Sequence, residues 1–142
     1  MPGIKGQFPD IVRIAALCVC AGLIAGAGSA RAAADRTVIG YDRTIPQAAF
    51  AASEIQRAIV AREGAAVELD LDTAVKADSA VRILLVAGPH SRAEALGLTP
   101  AASTVWQAYS IRCRNEEGRA TYSVLAATPD GLMYGGLDLA EA

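Results

Sequence analysis

Aromatic side chains are scarce in this 142-residue chain: Phe, Trp and Tyr make up 5% of it, although 53% of its residues are hydrophobic. Few flat faces are therefore available for stacking a sugar ring, and Trp106 is the single tryptophan. Histidine is scarcer still. With only His90 present, a multi-histidine metal site is excluded, and no Ser-His-Asp or Cys-His grouping can be assigned from spacing. Of the three cysteines, only Cys113 lies beyond residue 32, so the rest of the chain contains no disulfide pair. A surplus of positive charge is also missing. The formal net charge is −2, and nucleic acids and anionic membrane surfaces both call for basic patches. The turn Gly88-Pro89-His90-Ser91 matches neither the dinucleotide nor the P-loop glycine pattern, so no nucleotide cofactor is expected.

Long apolar runs are absent with one exception. Ile14 to Ala25 is apolar throughout, follows Lys5 and Arg13, and leads through small residues to Ala30-Arg31-Ala32. A basic start, a short apolar middle and an A-x-A site are the marks of a cleavable secretory signal. The run falls short of the roughly 20 residues of a membrane span, although an uncleaved N-terminal anchor is the alternative. Residues 1–32 are read as the signal peptide and 33–142 as one small domain, exported to the periplasm or the exterior. Without Lys5, Arg13, Arg31 and Asp10, ten basic and fourteen acidic residues remain, a net charge of −4.

Thr37 to Tyr41 has the β-branched character of a first strand. Pro46 and Gly64 bracket a helix in which Ala51, Ile55, Ala58 and Ile59 recur at helical spacing. Ala66 to Asp72 alternates, with Val67, Leu69 and Leu71 opposite Glu68, Asp70 and Asp72, and reads as a strand with one wet face. The unbroken run from Arg82 to Gly88 suits a central strand covered on both sides. Ser91 and Glu94 have capping-box spacing for a short helix ending at Gly97. Tyr109 to Arg114 and Thr121 to Ala127 form a hairpin about Asn115–Gly118, and Thr128-Pro129 opens the closing helix. The order β-α-β-β-α-β-β-α predicts an α/β (α+β) fold, a two-layer sandwich of one mixed sheet with helices packed on it.

No grouping carries catalysis. Asp70 and Asp72 read as a solvated acidic face, Cys113 as a buried thiol beside Tyr109 and Ile111, and Arg112 and Arg114 as an edge facing water or acidic neighbours. His90 stands where ligands often bind in α/β folds, and is a weak candidate for that reason alone. The closing helix stands apart. Leu132, Met133, Gly136, Leu137, Leu139 and Ala140 cover an arc of roughly 160°, widened by Tyr134, where a helix lying on one sheet needs about 100°. Gly135 and Gly136 each cost about 1 kcal/mol relative to Ala inside a helix, which makes sense where another backbone comes close. Leu132 to Leu137 is therefore the expected partner-packing face, unless the helix is wedged into its own core.

Ala126 to Glu141, with Gly131-Leu132-Met133-Tyr134-Gly135 and Leu139-Ala140-Glu141, resembles the segment that closes the N-terminal domain of α-glucuronidases and bacterial β-N-acetylhexosaminidases. Phe50 to Ala58 resembles that domain's first helix, Ile83 to Gly88 its central strand, and Ala108 to Ile111 the opening of its hairpin. The resemblance spans nearly all of residues 37–141. It implies a non-catalytic accessory domain packed beside a catalytic (β/α)8 barrel that carries the glycoside hydrolase's acid and nucleophile, and none of those residues has a counterpart here. The alternative is a free-standing secreted module that binds a polysaccharide or a protein, with Trp106 and Tyr109 as its aromatic pair. A minimal enzyme is the third and least supported reading.

Overall fold

The computed structural model describes residues 36–98 and 105–142; the side chains of His90 and Ser91 and the expected signal peptide lie outside what it describes. Five strands make one mixed sheet: β1 (Thr37–Tyr41), β2 (Ala66–Asp70), β3 (Val81–Ala87), β4 (Tyr109–Glu116) and β5 (Arg119–Ala126). Their order across the sheet is β2-β1-β3-β5-β4. The first four of these run parallel, and β4 is an antiparallel edge strand on β5. Four helices are described: α1 (Pro46–Ala61), α2 (Leu71–Lys76), α3 (His90–Ala95) and α4 (Pro129–Glu141). The expected mixed sheet with helices packed on it is thus found.

The two long helices, α1 and α4, cover one face. Ile39, Tyr41, Ile83, Leu85 and Val124 of the sheet meet Ala48, Ala51, Ala52 and Ile55 of α1 and Leu132 of α4 there. The alternate residues Val38, Leu84, Val86 and Leu125 point the other way, where Leu71 and Ala74 of α2 and Ala93 of α3 cover them. Alternation along a strand explains why β3 is an unbroken apolar run: both of its faces are buried.

The order departs from expectation at α2, a helix between β2 and β3 where a longer strand was expected. The strand stops at Asp70, and Leu71 and Ala74, one helical turn apart, are both buried. Gly40 makes this possible, since any Cβ there would run into the Cβ of Ala74. The alternation of Leu69 and Leu71 concealed this change of period. The Ser91–Glu94 capping box does not form either. Pro89 is the N-cap residue, in extended conformation, so α3 starts at His90 and Ser91 lies inside its first turn. Gly97, at φ +70°, does end that helix.

Helix α1 ends in a Schellman motif one residue away from the obvious glycine. The amide of Gly64 donates to the Ile59 carbonyl and that of Glu63 to Val60, so the left-handed residue is Glu63, at φ 62°. The β4–β5 hairpin turns on Glu117 and Gly118, both at positive φ, which gives the right-handed strand twist a type I′ turn.

Candidate functional site

Helix α4 is held to its own chain by its glycines. Thr128 caps it by accepting from the Gly131 amide at 3.2 Å, with Pro129 at its first position, as the sequence predicts. A Cβ on Gly136 would stand 2.5 Å from the Cβ of Ala51, so this position is where α4 lies against α1. On Gly135 it would stand 2.6 Å from Val124 Cγ1 and 2.8 Å from the Tyr109 ring. The close approach expected at the paired glycines is therefore supplied by α1, β5 and β4 of the same chain. Leu132 is fully buried among them, and Leu139 and Ala140 pack against the same core.

The opposite side of α4 stays open. Tyr134 is 42% exposed, and Met133 and Leu137 beside it are half-buried. On α1, Phe50 is 48% exposed. Gln47 Nε2 donates to Asp130 Oδ1 at 3.3 Å, which ties the starts of the two helices together. Phe50 lies one turn beyond Gln47 and Tyr134 one turn beyond Asp130, so the helical layer carries these aromatic rings at matching heights. The six residues Leu132 to Leu137 thus divide: Leu132, Gly135 and Gly136 close the internal core, while Met133, Tyr134 and Leu137 are left outside it.

A second region lies at the carboxyl ends of β1, β3 and β5. The chain runs from β1 to β2 on one side and returns to β3 on the other, which makes the β1–β3 border the switch point of the sheet. Asp42 follows β1 there. Its Oδ1 accepts from the Thr44 amide and hydroxyl at 3.0 and 2.6 Å, and its Oδ2 takes Arg92 of α3 at 2.9 Å. These partners, the Thr44 hydroxyl foremost, hold its carboxyl below the usual carboxylate range. His90 stands on the same rim by its backbone position.

Trp106 sits on this rim as well. Residues 105–108 form a turn closed by the Ala108 amide on the Val105 carbonyl at 2.9 Å, and Trp106 lies near its tip, 60% exposed. The Thr128 hydroxyl donates to the Trp106 carbonyl. The expected pairing of Trp106 with Tyr109 does not hold, because the Tyr109 hydroxyl bonds Asp138 and its ring lies against α4. That hydrogen bond, with burial, raises the Tyr109 phenol above its ordinary pKa.

The other sequence candidates separate. Cys113 is exposed, not buried, because β4 is an edge strand with no described helix over its far half. It faces Tyr122 across the hairpin. Arg114 pairs with Glu116 at 2.9 Å. Asp70 pairs with Arg43 at 3.2 Å, Glu68 accepts from the Tyr41 hydroxyl at 2.6 Å, and Asp72 belongs to the first turn of α2. An open depression of about 580 Å³ at the far end of the sheet is lined by Arg82, Glu116, Glu117 and Arg119, a balanced set of charges. Among the described residues, no group of three or more His, Cys, Asp and Glu side chains converges on a point where a metal ion could sit. No described helix is long and apolar enough to cross a membrane. No protein-family model, curated protein or solved structure matches the chain.

Proposed function

We propose that the α/β domain is an exported, non-catalytic accessory domain of a carbohydrate-degrading glycoside hydrolase, which supports a (β/α)8 barrel through the outer side of α4. One observation carries the reading. The glycines of α4 seal one side of the helix against α1, β4 and β5, while Met133, Tyr134 and Leu137 remain outside that core. A helix that served only its own sheet would need one apolar stripe. The resemblance of Ala126–Glu141 to the closing segment of glycosidase N-terminal domains gives the partner its identity, and the mixed sheet feeding directly into α4 has the layout which that resemblance implies.

The reading frame that follows codon 142 and the activity of the chain itself test this together. A frame encoding a (β/α)8 barrel, with no hydrolysis of aryl β-N-acetylglucosaminides or aryl α-glucuronides above blank by the purified chain, is the expected result. Hydrolysis by the chain alone, or a following frame of unrelated fold, would overturn the proposal.

A further inference from the structure

We infer that the rim around Trp106 is a binding site for a neutral sugar ring, with the indole as its platform and the Gln47–Asp130 pair as its hydrogen-bonding edge. The inference does not depend on Met133, Tyr134 and Leu137, since it rests on the turn that leads into β4 and on the first turns of α1 and α4. Exposed tryptophan is uncommon, and in a chain with one tryptophan its placement is informative. Trp106 stands near the tip of a hydrogen-bonded turn, and that turn is pinned from two directions. The Thr128 hydroxyl bonds the Trp106 carbonyl while also capping α4. Gly131 lets the turn lie directly on the first turn of α4: a Cβ there would fall 2.8 Å from the Ala108 carbonyl oxygen and 3.3 Å from the Gln107 carbonyl carbon. An aromatic ring carried on a fixed backbone loses little conformational freedom on binding, which favours affinity from a small contact.

The chemistry of the surroundings selects the ligand. Asp130 is two residues beyond the Thr128 cap, half-buried, and held by Gln47 at 3.3 Å. An amide and a carboxylate side by side offer donors and acceptors in the arrangement that vicinal hydroxyls complement. The rim's arginines are already matched, Arg92 to Asp42 at 2.9 Å and Arg43 to Asp70 at 3.2 Å, so a carboxylated or sulfated sugar would have to break an ion pair to gain a cation. A protein partner fits less well. One Trp buries about 150–250 Å², whereas a stable protein interface takes about 800 Å² from each side. The carboxyl rim of the parallel strands is also the side on which α/β sheets place their ligands.

Trp106 is the sole tryptophan, so the emission of the purified chain reads this site directly. It is titrated with cellohexaose, xylohexaose, mannohexaose and chitohexaose, with hexagalacturonate as the acidic comparison, and affinities are checked by calorimetry. A saturable emission change with at least one neutral hexaose is expected, along with at least about tenfold weaker binding by Trp106→Ala. Gln47→Ala is expected to weaken binding severalfold, and Val60→Glu, an exposed position at the far end of α1, to leave it unchanged. Circular dichroism confirms that each variant is folded. A flat response to all four neutral sugars, tighter binding of hexagalacturonate, or undiminished calorimetric affinity in folded Trp106→Ala would each overturn the inference.

Discussion

Gly136→Ala separates helix propensity from helix packing, and the structure fixes which should win. In an isolated helix this substitution stabilises by about 1 kcal/mol, because glycine loses the most backbone freedom on folding. Here the new methyl would sit 2.5 Å from Ala51 Cβ and 3.5 Å from Ala51 Cα. The first distance is about 1 Å inside normal carbon contact, and neither atom is at the end of a flexible side chain. The backbones of α1 and α4 must move apart, which also disturbs Leu132 and Ile55 beneath them. Overpacking of this kind costs about 1–3 kcal/mol, so the net expectation is a loss of roughly 1 kcal/mol, reaching about 2. Urea denaturation with linear extrapolation measures it. The companion variant Ala51→Gly removes the obstructing methyl. Combined with Gly136→Ala, it should recover most of the packing loss and give a favourable coupling of about 1 kcal/mol or more. If Gly136→Ala alone raised stability by about 1 kcal/mol, or if the two changes were additive, the helix contact described here would be wrong.

Three further expectations follow from local geometry. Glu63 holds the left-handed position of the Schellman motif that ends α1, so Glu63→Gly should raise stability by about 0.5–1 kcal/mol in the same assay; a loss would refute the motif. Glu117 opens a type I′ turn at φ 50°, and Glu117→Asn should raise the thermal midpoint, since Asn tolerates that conformation better. The Asp42 carboxyl is held low by Thr44 and Arg92. Its contribution is therefore present above the ordinary carboxylate pKa and lost as pH falls through the lowered value. Asp42→Asn should flatten the acid limb of the stability curve over that window, and an unchanged acid limb would contradict the assignment.

Much of the fold was legible because single residues punctuate it. Pro46 and Pro129 open the two long helices where expected, Thr128 caps the second, and the unbroken Ile83–Val86 run is buried on both faces. What misled were patterns whose outcome depends on distant partners. Alternation through Leu69 and Leu71 shows that two faces differ, but it cannot reveal that Gly40 leaves a space for Ala74 and so permits helix α2. The same limit applied to Cys113: alternation placed it on the face of Tyr109 and Ile111, yet none of the described helices reaches that end of β4. The width of the apolar arc on α4 has a reason internal to the domain that the sequence does not display. Gly136 and Ala51 are 85 positions apart in the chain, and only the folded layer brings them together. The Trp106 rim was partly visible. Its tryptophan stood out by scarcity, whereas the Gln47–Asp130 pair depends on two helix starts meeting.

The outer side of α4 is the feature on which the proposed role rests, and the double variant Met133→Glu, Leu137→Glu measures it most directly. If that side is open in this chain, the variant folds as the parent does, with urea stability lower by about 1–2 kcal/mol, as befits two half-buried side chains outside the core. Leu132→Ala, on the sealed side, supplies the comparison at about 2–5 kcal/mol. A double variant as damaged as Leu132→Ala would mean that α4 is occupied on all sides by its own domain and offers no face to a barrel.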